Sequence, residues 1–390
     1  MVASACRKAE PEQRPHDAAA AVAVVRDASP AADAPVDADP KRKTWVNGAG
    51  RCGECHGKMF DEWEVSAHAR ATSSPLFKAA MADAGTEDCE RCHAPLVAQI
   101  GREPAASEGV TCDVCHMLRD VKATADGGSF RLAIDDMVKF GPRCDLKDHY
   151  FHRMGCSPEH DQAVICSACH WWERKGVPVF TEYPDWLAGP AAKTPCQSCH
   201  MPKERASIAV GSPVRDGVPH HGLLGLATDL RKRALGLTAR VADDGGALVV
   251  TVEVKNVNAG HFVPSGLPER RIVVSAKVGD VVQRHALGRV LVDATGAEAP
   301  FWRATKVGAD TRIAPGATAR ETFVFPGVTA AGTAEIAIGY RAVSEAAARQ
   351  LGIAEVAEEK LLGATIAFDA RRTGAPVTVV PPAPGKRPRP

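Results

Sequence analysis

Cys52-Gly53-Glu54-Cys55-His56 is the first of five copies of one pattern, Cys-x-x-Cys-His. The others are Cys89-Glu90-Arg91-Cys92-His93, Cys112-Asp113-Val114-Cys115-His116, Cys166-Ser167-Ala168-Cys169-His170 and Cys196-Gln197-Ser198-Cys199-His200. At this chain's own cysteine and histidine frequencies, about 0.02 copies are expected by chance. The spacing therefore answers to chemistry. Two thiols three positions apart can add to the two vinyl groups of one haem, and the next histidine then lies under the iron as proximal ligand. A zinc site pairs two Cys-x-x-Cys knuckles and has no need of histidine at the following position. A thioredoxin-like redox motif occurs once, at a helix start, and not five times. The pattern implies five covalently attached haems c.

Working outward, the motif starts are 37, 23, 54 and 30 residues apart. From Trp45 to His221 that leaves roughly 35 residues for each haem, too few to bury each one separately. The macrocycles must pack on one another and supply much of the core. This also explains how a chain of 390 residues manages with 11 Phe, 6 Trp and 3 Tyr. Lysine plus arginine (48) nearly cancels aspartate plus glutamate (47), which argues against a nucleic-acid binder. No run of 18 apolar residues is present, so no membrane-spanning helix is expected.

Four regions follow. Residues 1–43 read as an Ala/Pro/Asp-rich disordered tether. It opens with Val2-Ala3-Ser4-Ala5-Cys6, which has the form of a lipoprotein cleavage site without the apolar stretch that precedes one. Cys6 is accordingly expected to carry a lipid anchor, giving a periplasmic or cell-surface protein attached to a membrane. Residues 44–222 hold all five motifs and read as a mainly α and irregular multihaem cytochrome c domain. Residues 235–370 change texture. Apolar, β-branched runs at 248–254, 271–278, 321–325 and 334–340, bounded by turn residues, predict an all-β immunoglobulin-like sandwich. A helix over 344–351 is expected to interrupt it, with Ser344 as cap. Residues 371–390 form a Pro-rich basic tail that is expected to be loose, and Arg231-Lys232-Arg233 reads as a solvated linker. Cys144 and Cys156 remain, either as a disulfide or as two free thiols.

Nine histidines lie outside the motifs. His16 sits in the tether, and His285 within a strand. The candidates for the second axial ligands are His68, one of His149 and His152, His160, one of His220 and His221, and His261. His68 closes Phe60-Asp61-Glu62-Trp63-Glu64-Val65-Ser66-Ala67-His68, read as a helix on which Phe60, Glu64 and His68 share a stripe. A second segment, Tyr183–Ala191, echoes it but has Ala191 where the ligand would stand. Trp63-x-x-Ser66-x-His68 resembles a signature of multihaem cytochromes related to the tetrahaem electron carrier of ammonia oxidisers. Gly109-Val110-Thr111-Cys112, Ile165–His170 and Cys196–Pro202 are similar to the same family. The resemblance implies a distal ligand at His68. Asn256–Gly266 is similar to a loop of larger members with a C-terminal sandwich. The family pattern does not extend to the Cys144–Cys156 stretch, so His149 and His152 both stand.

Iron held by two imidazoles has no vacant position, so such haems carry electrons. The first reading is a multihaem electron-transfer cytochrome serving redox protein partners. The alternative is a reductase or oxidase of a small nitrogen or sulfur compound at one open haem. That haem would arise where His261 or the His149/His152 pair fails to bind, with Arg143, Lys147 or Tyr150 near it. A third reading makes the sandwich a docking module. Pyridine haemochrome analysis is expected to return five covalently retained haems per chain.

Overall fold

The computed structural model describes residues 45–85, 89–224 and 228–381. Cys6, His16, the tether and the final nine residues lie outside them.

The first half is built from short pieces. Helices α1 (Ala49–Gly53), α2 (Gly57–Glu64), α3 (Pro75–Ala84), α4 (Glu90–His93), α5 (Val97–Ile100) and α6 (Cys112–His116) come first. Helices α7 (Val164–His170), α8 (Glu182–Leu187) and α9 (Cys196–His200) complete this half. The third, fourth and fifth Cys-x-x-Cys-His motifs lie within short helices. The second begins at the cap of α4, and the first starts in the last turn of α1 and runs into the turn beyond it. Between them run small strand pairs: β1 (Leu118–Lys122) with β2 (Ser129–Leu132), and β3 (Val138–Gly141) with β4 (Arg153–Cys156). Two more follow, β5 (Trp172–Arg174) with β6 (Val177–Phe180), and β7 (Lys203–Ala206) with β8 (Arg215–Pro219). Only β3 and β4 run parallel. The apolar cluster of this half is small, centred on Leu96, Met117 and Ile134.

Helix α10 (Thr228–Ala234) leads into the second half. Strands β9 (Leu235–Asp244), β10 (Ala247–Asn256), β11 (Arg271–Val278) and β12 (Val281–Leu287) are followed by the pair β13 (Arg289–Val292) and β14 (Lys306–Asp310). Then come β15 (Thr318–Phe325), β16 (Gly332–Arg341), α11 (Glu345–Gln350), β17 (Glu358–Phe368) and β18 (Val377–Val379). Two antiparallel four-stranded sheets result, in the orders β15-β10-β9-β18 and β12-β11-β16-β17. Their inner residues form one core. Along β10, Leu248, Val250, Val252 and Val254 are fully buried while their neighbours are not, the period-two pattern of a strand with one face inward. The Ser344 hydroxyl accepts from Ala347 N at 3.1 Å and caps α11 as expected.

Three expectations need correction. Helix α2 stops at Glu64, and His68 lies in turns beyond it. The His68 carbonyl is taken by Val110 N at 3.0 Å, where Gly109, at φ 91°, lets the two backbones meet. Val377–Val379 are not loose but pair with Leu237–Ala239 at a sheet edge. Arg231 is not a solvated linker residue; it ion-pairs with Glu359 and stacks 4.6 Å over the Tyr340 ring.

The halves are joined by specific contacts. Val177 and Val179 of β6 share an apolar cluster with Leu291, Phe301 and Ala304. Asp83, in the last turn of α3, accepts from Trp302 Nε1 at 2.8 Å and pairs with Arg303. Arg312 reaches Asp185 at 3.0 Å and also Asp310, with only 8% of its side chain exposed. Burial raises the Asp185 carboxyl more than Arg312 lowers it, whereas two carboxylates hold the guanidinium up. The attraction thus roughly offsets desolvation, and the loss on breaking the pair comes from the charges left behind. Arg312→Ala is expected to destabilise by about 3–5 kcal/mol, read as a lowered thermal midpoint, with Asp185→Asn recovering part of the loss.

Candidate functional site

The ten cysteines of the five motifs carry no disulfide. Their thiols meet across motifs. Cys52 and Cys112 lie close enough to shift one another's thiols, the first down and the second up; Cys92 and Cys169 do the same, as do Cys196 and Cys166. Cys115 lies close enough to Cys166 and Cys169 to raise both thiols. The motifs therefore touch in the series first–third–fourth–fifth, with the second joined to the fourth. Residues per haem set this crowding: the attachment points have nowhere else to go.

The histidines pair across long stretches of chain. His56 faces His152 with ring centroids 6.2 Å apart, and His68 faces His170 at 6.3 Å. His200 faces His261 at 6.3 Å with the rings within 14° of parallel. His116 has two neighbours, His160 at 6.0 Å and His221 at 6.3 Å. A metal–imidazole bond of about 2.0–2.1 Å on each side, plus about 1.1 Å from nitrogen to ring centre, gives about 6.3 Å between two rings on one iron. The spacing is that of two axial ligands.

Ring tautomers agree. His56 Nδ1 donates to Ile208 O at 2.6 Å, His116 Nδ1 to Phe140 O at 2.7 Å, and His261 Nδ1 to Phe262 O at 2.9 Å. Each leaves Nε2 with its lone pair, the second hydrogen bond that orients a ligating imidazole. His160 differs. Its Nε2 donates to Cys115 O at 2.9 Å, while its Nδ1, like that of His221, is buried without a protein partner, so both rings stand as partners of His116. Burial, with neighbouring imidazoles adding to it, lowers His68 to about 3 and His116, His200 and His221 to about 4. The rings stay neutral at pH 7, as ligands must. His68 Nδ1 is buried without a protein partner. The donor set fits haem iron, and an orphaned buried nitrogen is what such a metal would satisfy.

Of the candidates, His149 stacks on the exposed Tyr150, 4.2 Å away, and not on a motif histidine. His220 Nε2 lies 3.6 Å from Glu62, and its Nδ1 accepts from Gly222 N. His285 is on the surface beside Glu321 at 2.7 Å. His93 is the exception among the motifs. Its Nδ1 donates to Ala71 O at 2.8 Å, but among the described residues no histidine ring faces it; the Phe77 ring stacks on it at 4.5 Å. Sequence reasoning placed the doubtful positions at His261 and His149/His152 and overlooked Phe77, an ordinary residue on an ordinary helix.

His261 is set by a buried asparagine. Asn256 is wholly buried; its Nδ2 donates to His261 O at 2.9 Å and Ile313 O at 3.1 Å, and its Oδ1 accepts from Ala259 N at 3.0 Å. Gly260 lets the loop close on the first half, since a Cβ there would sit 2.7 Å from Ala191 Cβ. Ala191 is the position where the echo of the His68 segment has lost its histidine. The small residue makes room for the loop that delivers His261.

Residues 51–117 match the family model described as Cytochrome c554 and c-prime, which takes in three motifs and His68. The crystal structure of a penta-heme cytochrome c552 from Thermochromatium tepidum is similar, with a TM-score of 0.68 at 21% identity. The match covers 84% of this chain and 100% of that one, far more than the haem-motif region alone. At that identity the likeness is one of fold. No curated protein matches.

Asn256→Leu keeps the volume and removes all three hydrogen bonds. Each backbone group left unpaired in the core costs about 1–3 kcal/mol. The variant is expected to lose one low-spin ferric signal in electron paramagnetic resonance, as His261→Ala does, while retaining every covalent haem.

Proposed function

We propose that this chain is a multihaem c-type cytochrome that passes electrons through five covalently bound haems. The observation that carries the reading is the set of imidazole pairs at 6.0–6.3 Å, each joining a motif histidine to a histidine far away in sequence. Haem iron, once bound, supplies a one-electron couple. What the chain supplies is order, spacing and closure. Cys52/Cys55, Cys89/Cys92, Cys112/Cys115, Cys166/Cys169 and Cys196/Cys199 attach the five groups. His56 with His152, His170 with His68, His116 with His160 or His221, and His200 with His261 would close four of them against other ligands. The thiol contacts set a line of four attachment sites, the first, third, fourth and fifth motifs, with the second as a branch from the fourth.

The second motif favours one further reading. With Phe77 against His93 and no facing histidine among the described residues, a haem held there would have one protein ligand and would be open to a small ligand such as nitric oxide or cyanide. A phenyl ring neither donates nor accepts a proton, so proton-coupled reduction of nitrite or hydroxylamine lacks its acid–base group there. Electron carriage remains the main function. We read the C-terminal pair of sheets as an immunoglobulin-like sandwich that supplies His261 and covers the fifth haem. We place the protein outside the cytoplasm, facing redox protein partners, since haem c attachment belongs there and Val2–Cys6 has the form of a lipoprotein cleavage site.

Electron paramagnetic resonance of the oxidised protein is expected to show four low-spin haems and one high-spin haem. The high-spin signal should shift with cyanide and disappear in Phe77→His if the new imidazole reaches the iron. Five low-spin signals would remove the open site, and steady-state turnover of nitrite or hydroxylamine would favour the enzyme.

A further inference from the structure

The segment Cys144–Cys156 is closed by a disulfide between its two end residues, and His152 lies within it. None of the thirteen residues is buried; the tip residues Tyr150 and Phe151 are 79% and 47% exposed. A ligand loop with no apolar core must be held by something else. His149 and His152 exchange backbone hydrogen bonds at 3.0 and 3.1 Å, making a tight hairpin, and Asp148 Oδ1 accepts from Met154 N at 2.8 Å. Phe151 lies under the Arg51 guanidinium at 5.7 Å, beside the first motif. Beyond His152 the chain is anchored: β4 pairs with β3, and Ser157 N donates to Gly141 O at 2.8 Å. The arm that precedes the hairpin has no ladder of its own. It is tied back to β4 by the hydrogen bond from Met154 N to Asp148 and, covalently, by the bond from Cys144 to Cys156.

We infer that the Cys144–Cys156 disulfide is a latch that keeps His152 on the iron of the first haem, and that its reduction opens that haem to exogenous ligands. The inference rests on the haem reading above. Both cysteines are exposed, so a dithiol can reach the bond. One dithiol thiolate attacks a cysteine sulfur and breaks the S–S bond; the second closes the reagent into its own disulfide. Two electrons and two protons pass to the protein, leaving Cys144 and Cys156 as thiols. The hairpin then keeps only its own hydrogen bonds and the Phe151–Arg51 contact. The His152 ring, 6.2 Å from His56 in the closed state, loses its support on one side.

The test uses the mature holoprotein. It is treated with dithiothreitol, alkylated with iodoacetamide, and its haems are reoxidised with ferricyanide. Mass spectrometry counts the two alkylated cysteines, and paramagnetic resonance counts spin states. One low-spin haem should convert to high spin and gain cyanide binding, reproduced by Cys144→Ser with Cys156→Ser and by His152→Ala. Doubly alkylated protein with five haems and unchanged spin states would overturn the latch. A pyridine haemochrome count below five on the same sample would instead overturn the haem reading, and the latch with it. Reduction of mature protein keeps the test decisive where the serine variant fails to mature.

Discussion

An iron gripped by two imidazoles fixes the distance between two points of a polypeptide, however far apart they lie in sequence. Here His56 meets His152, His68 meets His170, His116 meets His221, and His200 meets His261, at 6.2–6.3 Å in every case. Each pair closes a loop of sixty to more than a hundred residues, closures that cost conformational entropy with little local structure to offset it. That is why the first half can consist of helices no longer than 10 residues and strand pairs of three to five. Its apolar clusters are too small to hold such pieces together, and the cofactor must do so. The second half is the opposite case: a continuous two-sheet core and no attachment motif.

The seam between these halves combines polar and apolar links of different ranges. Trp302 and Arg303 hold the end of α3, Arg312 bridges to α8, and the Phe301 cluster packs on β6. Helix α3 also carries Phe77, so the element beside His93 is held from the far side by the sheets. Leu76, its neighbour, packs against Ala347 and Ala348 of α11. The environment of the second motif is thus partly made by residues more than two hundred positions downstream.

What the sequence made legible follows from the range of the forces involved. The five motifs are local chemistry, written in five consecutive residues, and were readable outright. The strands at 248–254 and 271–278 were readable as apolar, β-branched runs bounded by turn residues. Counting spare histidines offered His68, His160, His261 and two unresolved pairs, and the fold sets His68, His152, His160, His221 and His261 opposite motif histidines. Counting could not show that His160 and His221 both face His116, since that depends on the fold. Nor could it show that the Phe77 ring stacks on His93, since Phe77 leaves no pattern. The end of α2 before His68 was hidden too, being set by Val110 and Gly109 some forty residues on.

The long separations between paired histidines also bear on how the chain comes into being. Synthesised from its N-terminus, it presents His56 and His200 well before His152 and His261 exist, whereas His68 is waiting when His170 emerges. Groups attached at the first, third and fifth motifs before their partners exist would therefore have one protein ligand only, reactive toward whatever small molecules surround them. The interval ends at the fifth motif only when the Asn256 loop has been made and has docked. A nascent chain stopped short of residue 261 would be a different chemical object from the finished one, with a vacancy at an iron that the complete protein keeps shut.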